Sequence, residues 1–478
     1  MTKINNNMEN KTKIPYSFSP NNKKLEKLEN NITIPRKLYE KINGLKFDNS
    51  KLNGSILAFH SKEIKIKYYG LVGIRKLLSI INNELVLQKI DDMELFPKLI
   101  NILDKFPNEF KYQALRCINN ILEENSNKMY ILLYGGINKI IACLDSNVEE
   151  IVQSSIYILG NMAEKSDKIG KILYNKGIFD KLLNILSSNN TEIIKIGTRA
   201  TNNFFTEEDI LSYENINKTF QVISKNLIEI NCDNEEFISD SCYIIATISF
   251  YNKKIVINER FTINLIPKLI SFLDIINEKI LLNALNIIDD ISSGKVEFIH
   301  KLITLNLLDK LKVILLNEDN PSIIKEAIWI LSNIACGTEK DVEVLIDNNF
   351  CPLLVKNFIN NDNSKIRKAT LFAICNILSI IKVKKEYIEK IVNKRVVKIL
   401  IKGLNNEEPV CKIVSLKSIK HILICSNILH SIADNPFVIL FQKLGIFKIL
   451  ENLKLFPNQK VQQEIDNIIQ IFNCIKNK

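Results

Sequence analysis

Trp329 and Asn333 stand four residues apart in the stretch Glu326–Gly337, and Trp329 is the one tryptophan in 478 residues. Residues four apart on a helix share a face, so the pair would set an indole ring beside a carboxamide. Each half has chemistry suited to a peptide. A carboxamide accepts a hydrogen bond and donates one, which lets it hold an extended backbone without reading side chains. An aromatic face takes the stem of a lysine or arginine flat against it, with cation–π attraction of about 0.5–2 kcal/mol. The same two residues would also suit a packed core in which the asparagine is incidental. Recurrence along the chain separates these readings.

The pattern recurs. Apolar helical stretches such as YQALRCINNIL, SSIYILGNMA and ATLFAICNIL reach one equivalent position at Asn120, Asn161, Asn203, Thr247, Asp290, Asn333 and Asn376, at intervals of 41, 42, 44, 43, 43 and 43 residues. The chain holds 60 asparagines, so some coincidence is expected, yet five of the seven positions are Asn and a sixth is Asp, all in one helical register. A fixed period in the low forties without strand-like alternation predicts stacked helical repeats. Two short helices precede each long one, as in EKDVEVLIDNN and then CPLLVKNFI, with Gly, Asn or Pro at the breaks. Three helices per unit favours armadillo over HEAT repeats. The expected fold is all-α, a right-handed superhelical solenoid of about ten armadillo repeats over residues 65–476, behind a separate N-terminal segment, 1–64. Each repeat would bury its apolar face only against its neighbours, and the long third helices would line a groove.

Other chemistry finds little support. The four histidines, His60, His300, His421 and His430, are far apart, and no HExxH, P-loop, GxGxxG or GxSxG occurs. Neither an enzyme nor a bound cofactor or metal is expected. Ten cysteines without a CxxC pair suit a reducing compartment. No apolar run approaches a membrane span, and the polar N-terminus lacks a signal-peptide core. Residues 1–64 hold twelve Lys and Arg against six acids, a balance of +6, which leaves +5 of the net +11 for the remaining 414 residues. A chain so evenly charged beyond its first segment is not expected to bind nucleic acid.

The repeats resemble those of importin alpha, the armadillo adaptor that binds nuclear localisation signals. PSIIKEAIWILSNIACGTEKDVEVLIDNNFCPLLVKNF (321–358) is similar to that family's seventh repeat, QSSIYILGNMAEKS to the third and LLNALNIIDDISSGK to the sixth. The resemblance implies two peptide sites: a major one at Asn120, Tyr157, Asn161 and Asn203, and a minor one at Asp290, Glu326, Trp329, Asn333, Phe372 and Asn376. It implies basic signal-bearing cargo and importin beta as partners, with residence in cytoplasm and nucleus. Departures from the family pattern fall on the first site, where Arg116, Tyr157 and Arg199 replace tryptophans and Lys165 replaces an aspartate. Two arginines there would repel a basic segment, so the sequence favours the second site. The segment 21–47, with Lys23-Lys24 and Arg36-Lys37, lacks the dense arginines of an importin-beta-binding region. The rival expectation is an armadillo scaffold for a partner outside nuclear import, one that Arg116, Lys165 and Arg199 would suit.

Overall fold

The computed structural model describes residues 49–80, 92, 94–124, 132–205, 212–230, 234–258, 260–382, 384–430 and 435–476. The segment 21–47 lies outside them. Helices are the only regular elements among the described residues: α1 (Asn49–Phe59), α2 (Ile64–Ile80), α3 (Leu95–Lys105), α4 (Asn108–Glu124), α5 (Ile137–Cys143), α6 (Glu149–Lys165), α7 (Asp167–Asn175), α8 (Ile178–Leu186), α9 (Thr191–Asn202), α10 (Tyr213–Glu229), α11 (Glu235–Tyr251), α12 (Lys253–Asn258), α13 (Arg260–Phe272), α14 (Glu278–Ser292), α15 (Val296–Thr304), α16 (Leu307–Asn317), α17 (Pro321–Ile334), α18 (Glu339–Asp347), α19 (Phe350–Asn360), α20 (Ser364–Leu378), α21 (Tyr387–Ile391), α22 (Lys394–Leu404), α23 (Pro409–Leu429), α24 (Pro436–Lys443), α25 (Ile446–Leu453) and α26 (Gln459–Lys476). Ten of them are the long third helices that the period predicts: α2, α4, α6, α9, α11, α14, α17, α20, α23 and α26. The chain divides into two compact units, Met1–Ile178 and Phe179–Lys478.

In the first unit α2, α4 and α6 pack in succession, and α1 lies against α2. Leu52, Ile56 and Phe59 of α1 are buried, although the helix lies within the segment 1–64 that the sequence sets apart. The crossing needs a glycine. A Cβ on Gly70 would lie 2.1 Å from the backbone nitrogen of Phe59 and 2.6 Å from the carbonyl oxygen of Ser55, so the helices meet backbone to backbone. Lys67 Nζ donates to the Phe59 carbonyl at 2.9 Å, closing the C-terminus of α1. Lys165 does the same two repeats later, donating to the carbonyls of Leu122 and Glu123 at the end of α4, where a helix dipole favours a cation.

In the second unit the third helices carry two rows of polar side chains, one at each end. Asn190, Asn234, Asn277, Asn320 and Asn363 are the N-caps of α9, α11, α14, α17 and α20, and each side-chain oxygen accepts from backbone N–H groups in the first turn. Each stands thirteen residues before the ladder position of its own helix, at Asn203, Thr247, Asp290, Asn333 and Asn376. At a helical rise of 1.5 Å that is a separation of roughly 20 Å. The cap amides of Asn277 and Asn320 also donate to Glu235 and Glu278, the first residues of the preceding third helices, each at 2.9 Å. The caps therefore stop the helices and tie neighbours together. Between the two rows the helices bury mostly Ile, Leu and Ala, with small residues such as Thr198, Ser241, Cys242, Thr370 and Cys375 among them.

Candidate peptide-binding face

Trp329 is not a core residue. Its neighbours Ile328 and Ile330 are fully buried, whereas Trp329 is only half-buried on the polar side of α17. Phe372, one repeat later on α20, is half-buried too, and the two rings touch with centroids 5.6 Å apart and planes tilted by 43°. An alkyl stem between two parallel faces needs about 7 Å, twice the contact distance of carbon atoms. The gap between Trp329 and Phe372 is therefore closed, and the two rings do not form a slot.

The ladder amides beside them are engaged. Asn333 Nδ2 lies within reach of the Asp289 carbonyl at 3.0 Å, Asp289 Oδ1 at 2.8 Å and Ser292 Oγ at 3.0 Å. Asn376 Nδ2 repeats the arrangement with the Ser332 carbonyl at 3.1 Å and Ser332 Oγ at 3.0 Å. These donors close the last turn of the preceding third helix, although the Asp289 carbonyl also accepts from the Ser293 N–H. A peptide gripped by Asn333 or Asn376 would meet their carbonyl oxygens, for which the structure gives no partner among the described residues.

The acids of this cluster are also met from within the chain. Asp290 accepts from Ser249 Oγ at 2.8 Å and pairs with Lys253 Nζ at 2.8 Å. Glu326 pairs with its neighbour Lys325 at 2.5 Å, both side chains being nearly buried. Asp290, Glu326, Trp329, Asn333, Phe372 and Asn376 thus lie together on α14, α17 and α20, which pack in succession. Sequence reasoning missed Asp289, Ser292, Ser332 and Lys253, whose partners lie on neighbouring helices, and Lys325, whose partner is the next residue. The one available signal was a polar residue about one repeat before each ladder asparagine.

The first-site residues divide between the units. Asn120, Tyr157 and Asn161 are in the first, on α4 and α6; Asn203 is in the second, buried at the end of α9. Asn161 Nδ2 donates to Asn119 Oδ1 at 3.2 Å, but its Oδ1 is buried without a partner among the described residues, as is Asn120 Nδ2. Arg116, one turn before Asn120, is half-buried. Burial lowers its pKa below the ordinary guanidinium value; the Tyr112 phenol opposes that shift, and nearby Arg75 adds to it. Arg199, its counterpart in the second unit, pairs with Glu236.

No family model and no curated protein matches the chain. Solved structures do. An engineered protein is 19% identical over 88% of this chain and 99% of its own, with a TM-score of 0.65. A chain from work on the phosphorylation switch that controls the interaction between cadherin and beta-catenin is 11% identical over 91% of this chain and 94% of its own, with a TM-score of 0.66. The fold is an armadillo solenoid. A computationally designed armadillo repeat protein for modular peptide recognition overlaps 50% of this chain at 25% identity and a TM-score of 0.42, too partial an overlap to decide anything. Among the described residues no helix is long and apolar enough to cross a membrane, and no three metal-ligating side chains are grouped to hold an ion.

Proposed function

We propose that this chain is a non-enzymatic adaptor of the importin-alpha type. It takes the basic localisation signal of a cargo protein on α14, α17 and α20, links it to importin beta, and works between cytoplasm and nucleus. The observation that carries the reading is the half-buried indole of Trp329, one turn before Asn333 and in contact with the Phe372 ring. A large aromatic surface on the polar side of a third helix is what a lysine stem needs, and the adjacent amide oxygens are placed for backbone N–H groups.

The second reading is a scaffold for a partner outside nuclear import. The Lys253–Asp290 and Lys325–Glu326 pairs favour it, since the chain's own lysines already meet the carboxylates that a basic signal would use.

As the sole tryptophan, Trp329 reports on its own site. Titration with a lysine-rich peptide free of aromatic residues is expected to change indole emission, with affinity falling as salt is raised. Trp329→Ala and Asn333→Ala are each expected to weaken the binding by roughly 1–2 kcal/mol, measured by anisotropy of the labelled peptide. A Trp329→Ala protein that binds the peptide as well as wild type, but melts earlier, would remove the cargo reading.

A further inference from the structure

We propose that the exposed face of α22 is a docking surface for a carboxylate-rich segment of a partner protein, held by Lys394, Arg395, Lys398 and Lys402. The surface is separate from the third helices and does not depend on the adaptor reading.

Residues 384–420 hold ten Lys and Arg against four acids, a balance of +6 that exceeds the +5 of the whole chain after residue 64. Charge that the sequence spreads thinly elsewhere is thus gathered in one repeat, and on α22 it lies on one side. At about 100° per residue, Lys394, Arg395, Lys398 and Lys402 fall within an arc of about 100°, along roughly 12 Å of helix. All four are exposed, while Val396, Val397, Ile399, Leu400 and Leu404 on the other side are buried. This arrangement opposes the helix that carries it. Lys394 and Arg395 open α22, where the positive end of the helix dipole disfavours cations. α22 has no acid in its first turn, whereas α9, α11, α14, α16 and α18 each have at least one there. Lys394 and Lys398, and again Lys398 and Lys402, are like charges four residues apart, which weakens a helix further. The Asn393 cap offsets this by accepting from the N–H groups of Arg395 and Val396. Where a helix breaks its own local rules, function is the usual reason.

Several other lysines of the second unit are met by acids about one repeat away, as in Lys310 with Asp274, Lys368 with Glu408 and Lys420 with Glu464. No carboxylate among the described residues pairs with the four cations of α22. Charge complementarity therefore calls for an anionic partner, and a protein segment fits best. Lys394, Lys398 and Lys402 repeat about every 6 Å along the axis, the spacing of acids four apart on a helix laid alongside. Arg395 adds a fork that can hold a carboxylate through two parallel hydrogen bonds. A helix on a membrane surface presents apolar side chains to the lipid, and α22 keeps its own in the core. A single nucleic-acid strand is held on aromatic faces, and α22 has none.

The probe is a fluorescein-labelled glutamate-rich peptide, read by anisotropy on the full chain. Binding is expected, weakening with salt. A fourfold variant, Lys394→Gln with Arg395→Gln, Lys398→Gln and Lys402→Gln, should lose about tenfold or more in affinity. The same variant should melt no lower than wild type, because the charges removed oppose their own helix. Lys398→Gln with Lys402→Gln should show an intermediate loss. Lys356→Gln with Lys448→Gln, which removes exposed lysines of α19 and α25, should leave affinity unchanged. Failure of the wild type to bind, unchanged affinity in the fourfold variant, or an equal loss in the α19 and α25 pair would each overturn the proposal. A melting temperature that falls together with affinity would assign the cations to the fold and overturn it too. So would equal binding of phosphatidylserine vesicles or of a single-stranded oligonucleotide. Binding of the lysine-rich peptide at Trp329 should be the same in all these proteins, so either site can fail alone.

Discussion

Single residues in this protein are set by what the neighbouring repeat offers them. Asn333 and Asn120 occupy one register, yet Asn333 donates into the end of α14 while the Asn120 amide nitrogen is buried without a partner among the described residues. Cysteines show the same dependence on surroundings. Cys117, Cys242, Cys351 and Cys375 sit in apolar layers, and burial pushes each thiol from an ordinary 9.0 up to about 12. Below about pH 9 these thiols are neutral in folded and unfolded chains alike, and titration leaves stability unchanged. Above it the unfolded chain releases protons that the folded chain retains, so stability falls by roughly 1.4 kcal/mol per thiol and pH unit until the folded values are reached. Urea unfolding at pH 8 and pH 10 should show this loss, and Cys242→Ala should lose less between the two pH values than wild type. Parallel losses in the two proteins would mean that this thiol ionises as freely folded as unfolded.

At the scale of the helix, asparagine marks where α9, α11, α14, α17 and α20 begin. An N-cap oxygen satisfies first-turn N–H groups, and removing it costs typically about 1 kcal/mol, within a range of roughly 0.5–2. Asn320→Ala is expected to cost at least that, because its amide also reaches Glu278 on the preceding third helix. The first unit supplies the reverse experiment. The α6 N-cap is Val148, which has no oxygen to offer, so Val148→Asn should stabilise the protein by a similar amount. Denaturant midpoints of the two variants check the pair. An unchanged midpoint for Asn320→Ala would mean that water replaces the cap at no cost.

At the scale of the molecule, the N-terminal segment decides whether an adaptor is complete. The expected recruiting region is 21–47, whereas α1 at 49–59 packs on α2 through the Gly70 crossing. Removing residues 1–64 would strip α1 away and expose the apolar residues beneath it, confusing lost recruitment with lost stability. Removal of residues 1–48 separates the two. Capture of importin beta from a cell extract should disappear in that truncation while the melting temperature stays within a few degrees of wild type. Capture that survives would place recruitment on the repeats.

The sequence alone determined what depends on local spacing. The period in the low forties, the ten third helices and the register of the ladder all follow from apolar periodicity along one helix, which needs no knowledge of its neighbours. The cap row was legible too, since an asparagine precedes each ladder position by thirteen residues from Asn190 to Asn363, and local capping chemistry gives such an asparagine its meaning. Tertiary structure decided everything that crosses from one repeat to the next. The acceptor of the Asn333 amide lies 44 residues back at Asp289, and nothing in the spacing shows whether that amide faces a helix end or a ligand. Contact between the Trp329 and Phe372 rings, the meeting of Lys253 with Asp290 and the nearness of Arg75 to Arg116 likewise depend on how far each third helix is offset against the last. That offset is set by packing of whole buried faces, so it is written in no single stretch of sequence.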